Sequence, residues 1–332
     1  MKKIYFQINS AIANSRHILL HLHPSPDADS VGSALAFYHY LKSIKKKVTL
    51  ITGDSRLSPS LSHLPGAKKI ITKNFFDLDL NKFDLFIILD SSAPDQISKL
   101  APVVFPETMK TIVIDHHVSN ASFGDLNLID IDSPATCQIV YHFFKDNYIN
   151  ITQKMAACLL AGIYTDTGGF KYPPTSSETF MVAADLSKIY PSFTQMIFEI
   201  ENNDNPENLR FLGKILSQIE TYFNNHVAIA SISLEDMLSA SLSPDNATGG
   251  IANMLKSVVG WDIAISMVEV DTNKINVSFR TRNANKYDVS KIALATGFGG
   301  GHRAASGATI PLSLHGAKKL VLDTIKKLYP NL

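Results

Sequence analysis

The segment Thr111-Ile112-Val113-Ile114-Asp115-His116-His117 decides the fold class of this chain. Its apolar run is continuous and does not alternate with polar residues, which is typical of a strand buried on both faces of a parallel sheet. The run Phe86-Ile87-Ile88-Leu89 has the same character and also ends in an aspartate, Asp90. Short apolar runs alternate with amphipathic stretches through the first half of the chain. This pattern predicts an α/β domain in which helices cover both faces of a parallel sheet.

Four strands and four helices are predicted in this half from the period of the apolar residues. The strands are His17–Leu22, Lys47–Thr52, Asp84–Asp90 and Thr111–Asp115. The helices are Ser30–Lys45, Pro134–Asn147, Thr152–Tyr164 and Ser176–Ile189. We therefore expect an N-terminal domain over residues 1–190.

A polar stretch around residues 201–206 interrupts the pattern, and residues 191–223, with a helix over Glu207–Phe223, are expected to connect two domains. A smaller mixed α/β domain is expected over residues 224–332. Its predicted strands are Val227–Ser231, Asp262–Glu269 and Ile275–Arg282, and its predicted helices are Gly249–Val259, Val289–Thr296 and His315–Leu328. Five of the eleven residues in the predicted loop Gly297–Gly307 are glycine, which indicates a role other than packing.

The charge balance limits the class of partner. The 332 residues include 31 Lys plus Arg and 30 Asp plus Glu, a formal net charge of +1. Proteins that bind long duplexes neutralise many phosphates and need a basic excess, which this chain does not have. A short or compact phosphate ligand remains compatible with this balance.

The composition predicts a cytoplasmic protein. No apolar stretch approaches the roughly 18 residues of a membrane span, and polar residues interrupt the N-terminal apolar run too early for a signal peptide. The two cysteines, Cys137 and Cys158, form no metal motif and no secreted disulfide framework. A homodimer is among the assemblies that the sequence permits.

Carboxylates and imidazoles follow the predicted strands. Asp90 and Asp115-His116-His117 end two of them, and Asp166 follows the apolar run 156–164. The first strand is followed by His23, Asp27 and Asp29. Because the carboxyl ends of parallel strands open into one crevice, we expect these side chains to converge there.

Each of these residues alone has a structural explanation, because an aspartate at a strand end is often a helix cap. Their convergence favours a metal centre, since so many carboxylates repel one another unless a cation compensates them. Oxygen and imidazole ligands without thiolate suit manganese or magnesium, with cobalt or zinc as alternatives. The number of ligands favours two cations, the arrangement that hydrolyses phosphate esters.

The motifs resemble those of one superfamily. Asp115-His116-His117 resembles the signature triplet of the DHH phosphoesterases. The run His23-x-x-Pro26-Asp27-x-Asp29-Ser30-x-Gly32-Ser33 resembles their first motif, Asp90 the second and Thr165-Asp166-Thr167-Gly168 the fourth. Residues 299–307 are similar to the glycine-rich motif of the DHH-associated C-terminal domain.

The resemblance implies a role for each of these residues. His23, Asp27 and Asp90 would hold one Mn²⁺ ion, and Asp29, Asp90, His116 and Asp166 a second one, in a cleft between the two domains. Mg²⁺ or Co²⁺ could replace manganese. Asp115 and His117 would act in catalysis, Asp115 by orienting a histidine and His117 as a phosphate-binding or acid–base group. Substrate would be bound by Arg280, Gly300, Gly301, His302 and Arg303.

In size and C-terminal motif the chain is most similar to the bacterial enzymes that hydrolyse short oligoribonucleotides of about two to five nucleotides and also pAp (3′-phosphoadenosine 5′-phosphate). The expected substrates are therefore short single-stranded RNA or phosphorylated nucleotides. Alternatives are a phosphodiesterase for linear pApA, a manganese pyrophosphatase, a single-strand-specific exonuclease and a non-catalytic nucleotide sensor. The glycine-rich motif counts against a pyrophosphatase, and the length and charge balance count against an exonuclease of long strands.

Overall fold

A computed structural model describes residues 2–203, 205–247 and 250–332. The chain divides after Asn203 into two compact units, each with its own sheet. In the segment 191–223, which the sequence predicts to be a connector, one helix belongs to the first unit and a helix and a strand belong to the second.

The first unit contains a five-stranded parallel sheet with the order β2-β1-β3-β4-β5. Its strands are β1 (His17–His21), β2 (Lys47–Ile51), β3 (Leu85–Leu89), β4 (Lys110–Asp115) and β5 (Leu126–Ile129). Its helices are α1 (Lys2–Asn14), α2 (Ala28–Ser43), α3 (Thr136–Asp146), α4 (Gln153–Asp166), α5 (Ser177–Ile189) and α6 (Phe193–Glu201). The parallel sheet and the four predicted strands are confirmed, whereas α1, β5 and α6 were not predicted.

The two faces of this sheet are covered differently. Ile18, Leu20 and Ile112 belong to the large core that the α-helices close. Leu19 and Phe86 point to the opposite face and pack against residues of loops and short 3₁₀ helices such as Phe75–Asp77. Single 3₁₀ turns therefore lie on the face where the sequence predicts a second layer of helices, because the segments that follow β2 and β3 are rich in Pro, Ser and Asp, which disfavour longer helices.

The strand order places a crevice at the centre of the sheet. From β1 the chain passes to β2 on one side, and the next strand, β3, pairs with β1 on its other side. Such a reversal in an open parallel sheet leaves a crevice at the carboxyl ends of the strands. The segments that leave β1, β3 and β4 begin at this edge.

The second unit contains a six-stranded mixed sheet with the order β10-β11-β9-β8-β7-β6, in which only β7 and β8 are parallel. Its strands are β6 (Ile219–Tyr222), β7 (Val227–Ile232), β8 (Ile263–Asp271), β9 (Lys274–Thr281), β10 (Gly299–His302) and β11 (Ala305–Ile310). Its helices are α7 (Pro206–Leu216), α8 (Leu234–Ser239), α9 (Ile251–Lys256), α10 (Val289–Ala295) and α11 (Leu314–Leu328). One core lies under α10 and α11 and another under α7, α8 and α9.

The predicted helix Glu207–Phe223 is wrong in its second half. Helix α7 ends at Leu216, and β6 then pairs with β7 in an antiparallel hairpin. Phe223, Asn224 and Asn225 all have positive φ angles, which form the reversing turn of that hairpin. The predicted helix Gly249–Val259 is shorter in the structure, and Gly249 itself lies outside the described residues.

The glycine-rich segment is a β-hairpin and not the predicted loop. Strand β10 pairs with β11 through Gly299 and Ala308 at one end and His302 and Ala305 at the other. A Cβ atom on Gly299 would lie 2.2 Å from the carbonyl oxygen of Gly307, so glycine is required where the two backbones approach. In the described part of the chain, no helix has the length and apolar character needed to cross a membrane.

Candidate metal centre

The segment after β1 places two functional groups at the start of α2. Asp27 is the N-cap residue, and its carboxylate accepts hydrogen bonds from the backbone N–H groups of Asp29 and Ser30, both at 3.0 Å. The backbone N–H of His23 donates to the hydroxyl of Ser30. His23 Nε2 then lies 3.6 Å from Asp27 Oδ1. Asp27 therefore caps α2 and is also a candidate metal ligand.

Asp90 lies at the centre of the crevice. It follows β3 directly with a φ angle of 55°, a left-handed conformation that Asp tolerates better than most residues. Its side chain is almost fully buried, and its two oxygens face different imidazoles. Oδ2 lies 3.4 Å from His23 Nε2, and Oδ1 lies 3.6 Å from His116 Nε2. The carboxylate of Asp90 therefore contacts His23 through one oxygen and His116 through the other.

His116 leaves the end of β4 with its ring fixed in orientation. Its Nδ1 lies 3.3 Å from the carbonyl oxygen of Ser133, an arrangement in which Nδ1–H donates and Nε2 keeps its lone pair. This Nε2 lies 3.3 Å from Oδ2 of Asp166, the last residue of α4. The lone pair on Nε2 of His116 is therefore available to bind a cation.

Asp29 is buried and is held by the first turn of α3. The backbone N–H groups of Thr136 and Cys137 donate to its two oxygens at 2.6 and 2.8 Å. The N-cap residue of α3, Ala135, offers no side-chain cap, so the carboxylate of Asp29 caps this helix from another element. A carboxylate oxygen has two lone pairs, and one on each oxygen remains for a cation.

The structure therefore brings together all six residues that the sequence assigned to the metal centre. Ligand atoms of His23, Asp27 and Asp90 lie within 4.8 Å of one another, and so do those of Asp29, His116 and Asp166. We call these the first group and the second group. Ligand atoms of Asp90, His116 and His117 also lie within 4.8 Å of one another. Asp90 belongs to the first group and is also close to His116 of the second group, so it links the two.

The carboxylates repel one another in the absence of a cation. Burial, together with the charges of Asp90 and Asp27, raises the pKa of Asp29 well above its usual value. Burial and the charge of Asp29 raise the pKa of Asp166 to about 8. Burial alone would lower the pKa of His23, but its contacts with Asp27 and Asp90 raise it to about 11. Bound cations would replace these protons, which is the behaviour expected of a metal site.

Asp115 and His117 form a separate pair at the rim of the site. His117 Nδ1 lies 2.7 Å from Asp115 Oδ1, and the side-chain amide of Asn120 donates to the other oxygen of Asp115 at 2.6 Å. The hydrogen bond to Asp115 raises the pKa of His117 to about 9. Although burial opposes it, the same contact lowers the pKa of Asp115. The pair consists of an ionised carboxylate and a histidine that carries a proton at neutral pH.

These groups line a polar pocket of about 240 Å³. Among the described residues, no Lys or Arg lines it. Nitrogen and oxygen donors without thiolate suit a hard divalent cation, so the residues present fit the expected pair of ions. The lining residues are His23, Pro24, Asp27, Asp90, Ser92, Gln96, His116, His117 and Asp166.

Sequence reasoning missed the residues that support the ligands. Thr136 and Cys137 are the first residues of α3 and Ser133 lies shortly before the helix, where the sequence indicates only the beginning of a helix. Asn120 lies in the loop after β4, where an Asn is unremarkable. The contacts of Thr136 and Cys137 with Asp29 join residues 107 and 108 positions apart, so no local pattern marks them. The contact of Asn120 with Asp115 spans only five positions, but a single Asn in a loop does not indicate it.

The predicted substrate-binding residues all lie in the second unit. Gly300, Gly301 and His302 belong to β10, and His302 is exposed. Arg303, in the turn after β10, forms an ion pair with Asp288 at 3.3 Å. Their role in binding substrate stays a prediction.

The structure separates the two arginines at the end of β9. Arg280 Nε donates to the side chain of Asn253, and the guanidinium stays at the surface of the unit, half-buried. Arg282 NH1 instead donates to three carbonyl oxygens at the end of α9, those of Lys256, Ser257 and Val258. Arg282 therefore has a structural role as a helix C-cap.

Comparison with known families gives two matches in the same order as the two units. Residues 17–163 match the DHH family, N-terminal domain, and residues 224–329 match the DHHA1 domain. Among similar proteins, one from Thermus thermophilus named bifunctional oligoribonuclease and PAP phosphatase NrnA is 28% identical, over 93% of this chain and 89% of the relative. A protein of the same name from Bacillus subtilis is 26% identical over 88% of this chain and 89% of the relative.

Solved structures show the same fold. An exopolyphosphatase-related protein from Bacteroides fragilis superposes with a TM-score of 0.90 at 24% identity, over 99% of this chain and 97% of that one. RecJ from Thermus thermophilus, solved in complex with Mn²⁺, has a TM-score of 0.55 at 11% identity. The comparison with RecJ covers 99% of this chain and 54% of that one.

Proposed function

The chain belongs to the DHH family and carries the DHHA1 domain after it, and from this we propose that it is a two-metal phosphoesterase that hydrolyses short oligoribonucleotides to mononucleotides and pAp to AMP. The observation that carries the proposal is the pair of ligand groups joined by Asp90 at the carboxyl edge of the parallel sheet. The names of the relatives from Thermus thermophilus and Bacillus subtilis support the choice of substrates.

The first and second groups would hold one divalent cation each, with Asp90 between them. Mn²⁺ is the proposed ion, and Mg²⁺ or Co²⁺ would suit the same donors. The chemistry that such a pair of ions supplies is a lowered pKa for a water molecule and stabilisation of charge on the phosphate oxygens.

The chain's own groups position the reactants. Asp29, Asp90 and His116 are held by hydrogen bonds before any ligand arrives, so they lose little freedom on binding. The pocket at this edge is small and lined with carboxylates, which favours a compact phosphate over a long polyanion. The nearly equal numbers of basic and acidic residues in the sequence also favour a short phosphate ligand over a long one.

His117 would handle a proton. Its Nδ1 is occupied by Asp115, which leaves the other ring nitrogen to face solvent and substrate. With a pKa of about 9 it is protonated at neutral pH in the cation-free protein, so it would bind a phosphate oxygen or donate a proton to the leaving oxygen. Asp115 would keep the ring in that orientation.

Arg280, Gly300, Gly301, His302 and Arg303 would bind the substrate. Backbone N–H groups of glycine-rich segments and guanidinium groups are common phosphate ligands. We also propose that the protein acts in the cytoplasm. Its two cysteines are free and buried, as in a reduced protein. A homodimer stays a prediction.

One substrate panel in the presence of Mn²⁺ tests the proposal. It contains pAp, pApA, RNAs of two to five nucleotides, a longer RNA and pyrophosphate, and kcat/KM is compared across it. We expect efficient hydrolysis of pAp and the short RNAs, and little hydrolysis of the long RNA. Activity confined to pApA would favour the linear dinucleotide phosphodiesterase, and activity confined to pyrophosphate would overturn the proposal.

Two variants complete the panel. His116→Ala should abolish turnover, whereas His142→Ala, which removes an imidazole of α3 that pairs with Glu178 away from the pocket, should not. A nucleotide sensor would bind these ligands without turning them over in either protein.

A further inference from the structure

The first turn of α3 contacts two carboxylates that come from different elements. Backbone N–H groups of Thr136 and Cys137 hold the oxygens of Asp29. The hydroxyl of Thr136 donates to Asp90 Oδ1 at 3.1 Å. Thr136 is completely buried, so its hydroxyl makes this bond in a region with little water. One residue thus connects the second group to the carboxylate shared by both.

The bond from Thr136 determines which way the Asp90 carboxylate faces. Oδ1, which accepts from the hydroxyl, is the oxygen on the side of His116. Oδ2 then faces His23. Rotation of the carboxylate would break the hydrogen bond of a buried hydroxyl, which is costly because no water replaces it.

We propose that Thr136 is a positioning residue that fixes Asp90 in the orientation needed to join the two ligand groups. The inference rests on the proposed metal-dependent function. Thr136 contacts the oxygen of Asp90 that faces His116, and its backbone N–H holds Asp29, so it supports the second group more than the first. Binding at the second group therefore depends on the hydroxyl of Thr136.

The size of the effect follows from related sites. Removing a hydrogen-bond partner of a metal ligand weakens metal binding by about 10- to 100-fold. Thr136→Val keeps the shape and the backbone N–H but removes the hydroxyl. Thr136→Ser keeps the hydroxyl and removes only a methyl group.

A matched control exists in strand β4 of the same unit. Thr111 is also buried, and its hydroxyl donates to the carboxylate of Asp125 at 2.9 Å. Asp125 belongs to none of the candidate ligand groups among the described residues. Thr111→Val therefore removes a hydrogen bond from a buried Thr hydroxyl to an Asp carboxylate without touching the metal centre. It also removes the bond that this hydroxyl accepts from the backbone N–H of Asp125, so it is at least as severe a test of general destabilisation.

The experiment is a calorimetric titration of the full-length protein with Mn²⁺ alone, with thermal unfolding of the cation-free proteins as a check of folding. Wild type, Thr136→Ser and Thr111→Val should each bind two ions. In Thr136→Val one ion should bind about as in wild type, and the other about 10- to 100-fold more weakly.

Equal binding of both ions by Thr136→Val and wild type would overturn the inference. So would an equal loss in Thr136→Val and Thr111→Val, which would mean that general destabilisation is the cause. A wild-type protein that binds no Mn²⁺ would overturn the proposed function itself, so the two failures are distinguishable.

Discussion

The carboxylate of Asp115 lies 2.7 Å from Nδ1 of His117, and this contact sets the protonation of the histidine at the rim of the site. Asp115 is fully buried, whereas nearly half of the His117 side chain is exposed. A buried carboxylate thus holds an accessible imidazolium.

Asp115→Asn should lower both the pKa of His117 and turnover. Without the charge of Asp115, the pKa of His117 should fall from about 9 towards its usual value near 6.5. Loss of orientation should reduce kcat/KM by about 10- to 100-fold. NMR titration of the His117 ring in the cation-free protein measures the first effect. An unchanged pKa would show that Asp115 does not control it.

Asp29→Ala and Asp166→Asn should affect stability differently. Asp29 caps α3, so Asp29→Ala should destabilise the fold by about 1–2 kcal/mol in addition to abolishing activity. The sequence alone suggests a folded, inactive Asp29→Ala variant and does not reveal this second role. Asp166→Asn relieves the repulsion by Asp29 and keeps a polar side chain beside His116, so it should lose activity at equal or higher Tm without metal. Equal Tm losses in both variants would contradict this distinction.

Gly162→Ala should weaken metal binding although alanine favours helices. A Cβ atom at Gly162 would lie 2.4 Å from Cys137 Sγ and 2.7 Å from Asp29 Oδ1, so Asp29 must move. The control is Gly213→Ala in α7, where nothing lies within 4 Å and a gain of about 0.5–1 kcal/mol is expected. Mn²⁺ titration and thermal unfolding of both variants test the contrast, and normal Mn²⁺ affinity in Gly162→Ala would contradict it.

Arg280→Ala should weaken substrate binding, whereas Arg282→Ala should lower the stability of the fold. Arg282 holds the end of α9, so Arg282→Ala should lower Tm. Arg280→Ala should raise KM for pAp about tenfold or more, with a smaller change in Tm, because a lost charge-assisted contact weakens phosphate binding. The reverse pattern would assign substrate binding to Arg282.

Asp54 should make the free energy of unfolding depend on pH in the acid range. Burial alone would raise its pKa, but hydrogen bonds from the backbone N–H of Lys99 and the hydroxyl of Ser98 hold the pKa below its usual value. This contribution is present above the unfolded pKa of about 3.9 and disappears as the pH falls through the lower folded value. Asp54→Asn should therefore destabilise the protein at neutral pH and have a smaller effect at a pH below the folded pKa. Urea unfolding at both pH values checks this, with the exposed Asp95→Asn as control. A loss independent of pH would contradict the explanation.

The sequence predicts the parallel sheet and the six converging ligands because buried strands have a distinctive apolar run and end at a common edge. The positions of Asp90 and His116 at this edge could be predicted in this way from the sequence alone. Strand β10 could not be predicted, because a run of glycines has no side-chain pattern and its pairing with β11 depends on close backbone approach. The contact from Thr136 to Asp90 joins residues 46 positions apart and leaves no local signal.

Diffraction data collected at the manganese absorption edge from crystals grown with Mn²⁺ test the central claim most directly. The account predicts two anomalous peaks about 3.5–4 Å apart on either side of Asp90, one contacted by His23 and Asp27 and the other by Asp29, His116 and Asp166. Absence of manganese from the crevice, or peaks only at other positions, would contradict it.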